Sequence, residues 1–225
     1  MWVVKIGGSL AADELLPCWL DSLSCYGGGE VVIVPGGGPF AEQVRISQHR
    51  WHIDDSAVHV MALLGMEQYG FMMSGLRNDL VPVECETDIF RVLKKAGVPI
   101  WLPTFMVTNE QDIEHSWDVT SDSLAAWLAR KIGASRLLLV KSVNLGERKI
   151  SAGELSQQGI VDVAFPDYLR QGKFITMIVQ REHYGLIPQM LNSGTTAGAQ
   201  VVADGAMEPV CPITTIDPFS GPGSG

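Results

Sequence analysis

The sequence has little that would direct the chain to a membrane, to nucleic acid or to an oxidising compartment. Its four cysteines form no C-x-x-C pair, which argues against a zinc ribbon or a redox motif. We expect reduced thiols in a cytoplasmic protein. No run of about 18 uncharged apolar residues occurs, so no membrane partner is expected. Sixteen basic residues against 25 acidic ones argue against a nucleic-acid partner. Residues 1–10 lack a preceding basic region, so no signal peptide is expected.

What the sequence does contain is short apolar runs that alternate with helical patterns. Strands are predicted over residues 2–6, 31–34, 98–102, 137–140, 174–179 and 199–203. Helices are predicted over residues 13–26, from Pro39 onwards, and over 54–76, 86–96, 120–132, 162–170 and 184–191. Strands that alternate with helices indicate an α/β fold. We predict a three-layer sandwich with a mostly parallel central sheet.

Two glycine-rich turns follow the first two predicted strands, at the strand ends where parallel sheets bind ligands. Residues 5–9 read KIGGS and residues 35–39 read PGGGP, with a predicted helix after the second turn. Glycine lets backbone N–H groups approach an anion closely, and a lysine adds a point charge. Either turn alone could be a tight turn. Two at neighbouring strand ends can face two anions at once, as phosphoryl transfer requires.

Two further polar positions follow or open predicted elements. Asp122 lies in the segment TSDS, residues 120–123, where Thr120 or Ser121 could also serve as a simple helix cap. Lys141 directly follows the apolar residues 137–140. Lys141 could alternatively be a solvated lysine of a loop.

These motifs, in this order, resemble the amino acid kinase family over nearly the whole chain. The matching segments are residues 5–9 and 34–38 for the two phosphate loops, 120–125 for the organising aspartate, 138–143 for the nucleotide-side strand and loop, and 193–195 for a late glycine-threonine. The resemblance implies the amino acid kinase fold in one domain, residues 1–217. An acceptor-binding lobe would span about 1–133 and a nucleotide-binding lobe about 134–217. Residues 218–225 are expected to form a flexible tail, because proline, glycine and serine leave little to bury.

The resemblance also implies a small-molecule kinase that uses ATP and Mg²⁺. The expected catalytic residues are Lys5, Asp122 and Lys141. The residues expected to bind nucleotide are Gly7, Gly8, Ser9, Ser142, Val143 and Asn144. Those expected to bind the phosphate acceptor are Gly36, Gly37, Gly38, His115, Trp117 and Ser121. No residue is expected to ligate the metal directly, since Mg²⁺ would bridge donor oxygens. The resemblance and the Met-rich helix, 54–76, predict a homo-oligomer.

The sequence departs from the family pattern in one place. Many members carry another lysine after a glycine-rich turn, near the segment that here spans residues 159–162, and no lysine occurs there. Lys141 could supply some of that charge, because it follows the preceding strand.

Residues 114–123 and 162–166 resemble the small kinases of methanofuran biosynthesis. Those enzymes use ATP to convert (5-aminomethylfuran-3-yl)methyl phosphate to the diphosphate. The resemblance therefore implies an acceptor with an ammonium group, which a carboxylate should meet. The candidates are Glu114, Asp118 and Asp122 for the ammonium and Arg45 and Arg77 for the phosphate.

Other interpretations remain open on the sequence. The acceptor could be a carboxylate, such as an N-acetyl amino acid, or a different phosphate monoester. The chain could also be a non-catalytic protein of the same fold that binds oxyanions or nucleotides. Three further histidines, His49, His52 and His59, show no metal-binding spacing and are expected to be surface or helix residues.

Overall fold

The computed structural model describes residues 1–194 and 197–205, and the strands in this range form one sheet. They are β1 (Trp2–Ile6), β2 (Val31–Pro35), β3 (Leu80–Val83), β4 (Val98–Trp101), β5 (Arg136–Lys141), β6 (Lys149–Ser151), β7 (Ile175–Gln180) and β8 (Ala199–Val202). Their spatial order is β3-β4-β2-β1-β5-β7-β8-β6. The first six strands in this spatial order, from β3 across to β7, pair in parallel. The last two, β8 and β6, are parallel to each other, and β8 runs antiparallel to β7. The prediction of a mostly parallel sheet is confirmed.

Helices connect the strands and cover the sheet. They are α1 (Leu16–Tyr26), α2 (Gly38–Trp51), α3 (Asp55–Leu76), α4 (Glu86–Lys94), α5 (Thr104–Val107), α6 (Ser121–Lys131), α7 (Ala152–Gln157), α8 (Phe165–Arg170) and α9 (Ile187–Ser193). Two 3₁₀ turns, Gly8–Ala12 and Arg181–Leu186, follow β1 and β7. No helix in the described part of the chain is both long and apolar enough to cross a membrane. The predicted tail, 218–225, lies outside the described residues.

The hydrophobic core lies on both faces of the sheet, because successive strand residues point to opposite sides. Val3 and Leu137 belong to a cluster that includes buried residues of α4, α6 and α8. Val4 and Leu138 belong to a second cluster with buried residues of α1 and α9. Helices on either side of one sheet give the three layers that the alternating pattern predicted.

Several predicted helices begin later than expected, each at a proline. The helix predicted from residue 13 begins at Leu16, that predicted from 162 begins at Phe165, and that predicted from 184 begins at Ile187. In each case a proline occupies the first turn, where its missing N–H costs nothing and its fixed φ suits the helix. The sequence analysis also missed β3, which contains Pro82 and lies at the sheet edge, where proline is tolerated.

The order of the strands places a crevice at one point of the sheet. From β1 the chain passes to β2 on one side, and later to β5 on the other side. Such a reversal opens a crevice beyond the carboxyl ends of the strands, where open α/β sheets bind ligands. The first glycine turn, the N-terminus of α2 and the end of β5 all lie at this edge.

Candidate active site

Two lysines lie near the carboxyl ends of adjacent parallel strands and point to the same face of the sheet. Lys5 lies in β1 opposite Leu139 of β5, and Lys141 is the last residue of β5. Because side chains alternate, Lys5 shares the face of Val3, and Lys141 shares the face of Leu139. That face is covered by α6. Lys5 is 4% exposed, although it carries a charge.

Asp122, in the first turn of α6, joins the two lysines. Its Oδ1 lies 2.8 Å from Lys5 Nζ, and its Oδ2 accepts a hydrogen bond of 2.6 Å from Lys141 Nζ. Asp122 is 3% exposed, and buried charges persist in proteins when they are paired. The structure therefore brings together the three residues that the sequence analysis named as catalytic. Two ammonium groups around one carboxylate leave one positive charge uncompensated.

The charges of this trio depend on one another. Burial alone would raise the pKa of Asp122, but Lys5 and Lys141 outweigh that effect and lower it to about 2. Burial, together with the charge of Lys5, lowers the pKa of Lys141 to about 8, although Asp122 opposes the change. Asp122 is therefore ionised and Lys141 is predominantly protonated at neutral pH.

Lys141 also reaches the segment in which the family lysine is missing. Its Nζ donates a second hydrogen bond, of 2.7 Å, to the carbonyl oxygen of Ile160. The side chain is 16% exposed, so the alternative of a solvated loop lysine is wrong. An ammonium group therefore lies beside residues 159–162 even though that segment carries no lysine of its own.

A carboxylate from a distant segment fixes the start of α6. Asp162 accepts hydrogen bonds from the backbone N–H groups of Thr120 and Ser123, both at 3.0 Å, and from the hydroxyls of the same two residues. Burial and the charge of Asp122 raise the pKa of Asp162. Of the two cap candidates, Thr120 and Ser121, the structure places Thr120 at the N-cap position, but its side chain makes no capping hydrogen bond. Asp162 thus holds the turn that presents Asp122.

The two glycine turns touch each other through their main chains. A Cβ atom on Gly8 would lie 2.5 Å from the backbone nitrogen of Gly38, and one on Gly36 would lie 2.5 Å from that of Gly8. Gly36 N–H also donates to the carbonyl oxygen of Ile6 at 2.9 Å. Side chains cannot fit at such separations, so glycine is required here. The turns form one continuous backbone surface beside Lys5.

A cavity of about 200 Å³ opens beside the second turn, between α2, α3 and the loop that leads to α6. Four of the six residues predicted to bind the acceptor line it: Gly37, Gly38, Trp117 and Ser121. Gly36 contacts the first glycine turn instead. His115 stacks on His59, which is itself a lining residue, with ring centroids 4.5 Å apart.

His59 is a site residue that the sequence analysis missed. It is 5% exposed rather than on the surface, and its Nε2 has no hydrogen-bond partner in the part of the chain that the structure describes. Burial and the neighbouring His115 lower the pKa of His59 to about 4, so its imidazole is neutral at pH 7. The signal for it was available, because Asp55, His59 and Ala62 recur at helical spacing and share one face of α3.

The charged residues on the cavity lining differ from those expected. Arg45 lines it and lies over the ring of Trp117, 3.8 Å from the ring centroid. Arg77 lies elsewhere and pairs with Asp79 at 3.1 Å. The carboxylates on the lining are Glu42 and Asp55. Glu114 and Asp118 are exposed and are not lining residues, and the carboxylate of Asp122 is held by the lysines.

A smaller cavity, of about 150 Å³, lies beyond the ends of β5 and β7. Asn144 is the one residue of the predicted nucleotide set that lines it, together with Gly146, Gln180 and His183. Ser142 and Val143 connect Asn144 to β5 and are not lining residues. In the described part of the chain, no three His, Cys, Asp or Glu side chains converge as a metal cluster.

Known proteins are similar to this chain in sequence and in fold. The profile of the amino acid kinase family matches residues 1–145. A [5-(aminomethyl)furan-3-yl]methyl phosphate kinase from Methanocaldococcus jannaschii is 29% identical over 194 residues, which cover 81% of this chain and 89% of that protein.

Two solved structures share the fold. Uridylate kinase from Archaeoglobus fulgidus superposes with a TM-score of 0.68 at 16% identity, covering 89% of this chain and 99% of that chain. UMP kinase from Ureaplasma parvum gives 0.62 at 14% identity, covering 89% and 97%.

Proposed function

The chain belongs to the amino acid kinase family and is a small-molecule kinase, and we propose that it transfers the γ-phosphoryl group of ATP to a phosphate monoester. The observation that carries the proposal is the buried network of Lys5, Asp122 and Lys141 beside two touching glycine turns. Transfer of a phosphoryl group needs fixed positive charge between a donor and an acceptor. The network supplies one net positive charge at that point.

The proposed acceptor is (5-aminomethylfuran-3-yl)methyl phosphate, and the product is its diphosphate. The support is the 29% identity to a kinase named for that substrate, which extends over 81% of this chain. The cavity beside Gly37 and Gly38 has a volume suited to one small ring compound, and Trp117 offers it an aromatic wall. On this proposal the protein acts in the cytoplasmic synthesis of a methanofuran-type C1 cofactor.

The residues of the first turn fit the donor. Backbone N–H groups of Gly7, Gly8 and Ser9 would bind the phosphates of ATP, because the two glycines have no side chain to keep an anion away from the main chain. The nucleoside would occupy the smaller cavity at Asn144. Mg²⁺, when bound, would neutralise charge on the donor oxygens, which it prefers as ligands together with water.

In the proposed reaction an oxygen of the acceptor phosphate attacks the γ-phosphorus of ATP. The bond from that phosphorus to the bridging β,γ-oxygen breaks, and ADP leaves with the electron pair. Lys5 and Lys141 stabilise the charge that spreads over the transferring oxygens. Asp122 holds both ammonium groups in position and takes no proton. A general base is unnecessary, because the acceptor phosphate is already ionised near neutral pH.

A panel of acceptors tests the proposal, with ADP release measured in the presence of ATP and Mg²⁺. We expect turnover with (5-aminomethylfuran-3-yl)methyl phosphate. Turnover with acetylglutamate or UMP, and none with the aminomethylfuran phosphate, would assign a different acceptor. If no acceptor releases ADP and the protein takes up oxyanions stoichiometrically, it is a binding protein.

A variant tests the mechanism separately. Lys5→Ala should lower turnover by roughly 10²-fold or more, the scale of losing one transition-state donor. The matched control is Lys173→Ala, which removes an exposed ammonium far from the sheet edge that carries the site. Equal turnover in the two variants would remove Lys5 from the mechanism.

A further inference from the structure

Trp117, which supplies an aromatic wall to the larger cavity, lies on a loop rather than on a helix or strand. The loop, residues 108–120, joins α5 to α6. Because no hydrogen bonds of a helix or sheet hold such a segment, the direction of its side chains depends on the residues that they contact. Gln48 and Arg45, both on α2, contact the indole, and neither has a part in the reaction described above.

Gln48 holds the edge of the indole. The helices α2 and α3 form a helical hairpin joined by residues 52–54, and Gln48 lies near its bend. Its Oε1 accepts a hydrogen bond of 2.6 Å from Trp117 Nε1, which ties the loop to the hairpin. A tryptophan N–H can only donate, and it points outward in the plane of the ring. This bond therefore fixes how the indole is rotated.

The other end of the Gln48 amide is held as well. Its Nε2 donates to Asp55 Oδ1 at 2.7 Å and to the carbonyl oxygen of Ile53 at 3.4 Å. Carboxylate and carbonyl oxygens are acceptors, so they bind the amide nitrogen and leave Oε1 for the indole. The reversed amide would set two donors against each other at Trp117. Gln48 is not itself a lining residue, so it acts on the cavity through the indole.

Arg45 covers the face of the same indole. Its Cζ lies 3.8 Å from the ring centroid, and both residues line the cavity. The guanidinium has no hydrogen bond or ion pair in the part of the chain that the structure describes, and Arg45 is the one lysine or arginine on the lining. A stacked guanidinium keeps its charge and is flat on both sides, so a second flat group can stack on it.

We propose that Gln48 is a positioning residue that holds Trp117, and through it the guanidinium of Arg45, as a flat platform for the ring of the acceptor. The site would then select phosphate monoesters that carry an aromatic ring. A furan ring is flat and rich in π electrons, so a guanidinium attracts it by stacking and by cation–π interaction. A saturated ring is puckered and has no π electrons. The inference rests on the proposed function and names the class of acceptor.

The test compares two acceptors in the full-length protein, the aminomethylfuran phosphate and its tetrahydrofuran analogue, which bears the same substituents on a saturated ring. We expect Gln48→Leu to raise KM for the furan roughly three- to tenfold, the scale of one lost hydrogen bond. The KM for ATP and the kcat/KM for the analogue should stay within about twofold of wild type, since neither depends on the platform. Gln43→Leu, at an exposed position of α2 away from the lining, is the matched control.

A double-mutant cycle shows whether Gln48 acts through Trp117. Trp117→Phe removes the N–H donor and keeps an aromatic ring, so adding Gln48→Leu should raise KM for the furan no further. A full additional rise would overturn the inference.

Arg45→Lys keeps the positive charge and loses the flat group. It should lower kcat/KM for the furan roughly three- to thirtyfold and spare the analogue. Circular dichroism checks the fold of each variant. Because Arg45 is exposed, this variant decides the question if Gln48→Leu does not fold.

Equal losses for the furan and its saturated analogue, or no loss for either, overturn the inference and leave the proposed function standing. If wild type phosphorylates neither compound, the proposed function fails, and calorimetry with the same two compounds decides the platform by itself. Tighter binding of the furan than of the analogue, with the difference lost in Gln48→Leu, supports the platform, and any other result overturns it.

Discussion

The substitution Asp122→Asn would remove the charge that two buried ammonium groups share while keeping the shape of the side chain. Lys5 and Lys141 lie 2.8 and 2.6 Å from its two oxygens, and Asp122 and Lys5 are nearly inaccessible to water. In the variant the two cations face each other without a counterion. Breaking a buried ion pair by removing one partner typically costs about 3–5 kcal/mol.

The lowered pKa of Lys141 limits the loss of stability. Its pKa is already lowered to about 8, so giving up its proton at about pH 7 costs only about 1.4 kcal/mol. We therefore expect Lys141 to become neutral in the variant, which leaves Lys5 without a counterion. The net loss of stability should be near the lower limit, about 3 kcal/mol. For a domain of this size that corresponds to a fall in Tm of about 6–12 °C.

The assay is thermal unfolding followed by circular dichroism at about pH 7, with turnover measured on the same samples. Asp118→Asn serves as the control, because its carboxylate is exposed and such substitutions usually change stability by about 0.5 kcal/mol or less. Turnover of the Asp122 variant should fall with its stability, since the ammonium groups lose their orientation. A Tm within about 2 °C of wild type would refute the reasoning, because the trio would then not be held by charge.

Three more predictions follow from the same site. The kcat/KM for ATP reports the ionisation of groups in the free enzyme. It should fall as the pH rises through about 8, because Lys141 then loses its proton. In Lys141→Arg this fall should move beyond about pH 10, because a guanidinium keeps its proton. Gly8→Ala should reduce turnover strongly by forcing the glycine turns apart, whereas Gly75→Ala, at an exposed position with nothing within 4 Å, should be neutral or stabilising by up to about 1 kcal/mol; equal effects in a paired activity assay would contradict this. Asp162→Asn should lower stability by about 1.5–3 kcal/mol in urea unfolding through weaker capping of α6, and an unchanged midpoint would show that the cap is dispensable.

The sequence could predict where the proposed catalytic residues, Lys5, Asp122 and Lys141, lie within their elements, because local rules decide that. Lys5 lies near the end of the first apolar run, and Lys141 directly follows another, so both were expected near strand ends. Strand alternation then places them on one face, and a helix start carries Asp122 to the same edge. The two glycine turns follow from the same strands. The meeting of the three residues still depends on one contact between distant segments, the pairing of β1 with β5.

The features that the sequence did not predict depend on such contacts. Asp162 caps a helix that begins about 40 residues earlier, and no local pattern links the two. That Glu42 and Asp55 line one cavity appears only when α2 folds back on α3, because each looks like an ordinary solvated carboxylate on its own helix. His59 lies in a helix, as expected, but its position on the cavity lining depends on how α3 packs against α2 and the loop that leads to α6.

The contact between the main chains at Gly8 and Gly38 would assign two tasks to different parts of the protein. One task is to space the two phosphates, and the other is to recognise the rest of the acceptor. On the proposed function, the spacing between donor and acceptor phosphates would be set by the backbone alone, because the two turns meet at Gly8, Gly36 and Gly38. The groups that would recognise the remainder of the acceptor belong to the helical hairpin, one layer away. A designer could therefore rebuild the hairpin to accept a new compound while the geometry of phosphate transfer stays as it is.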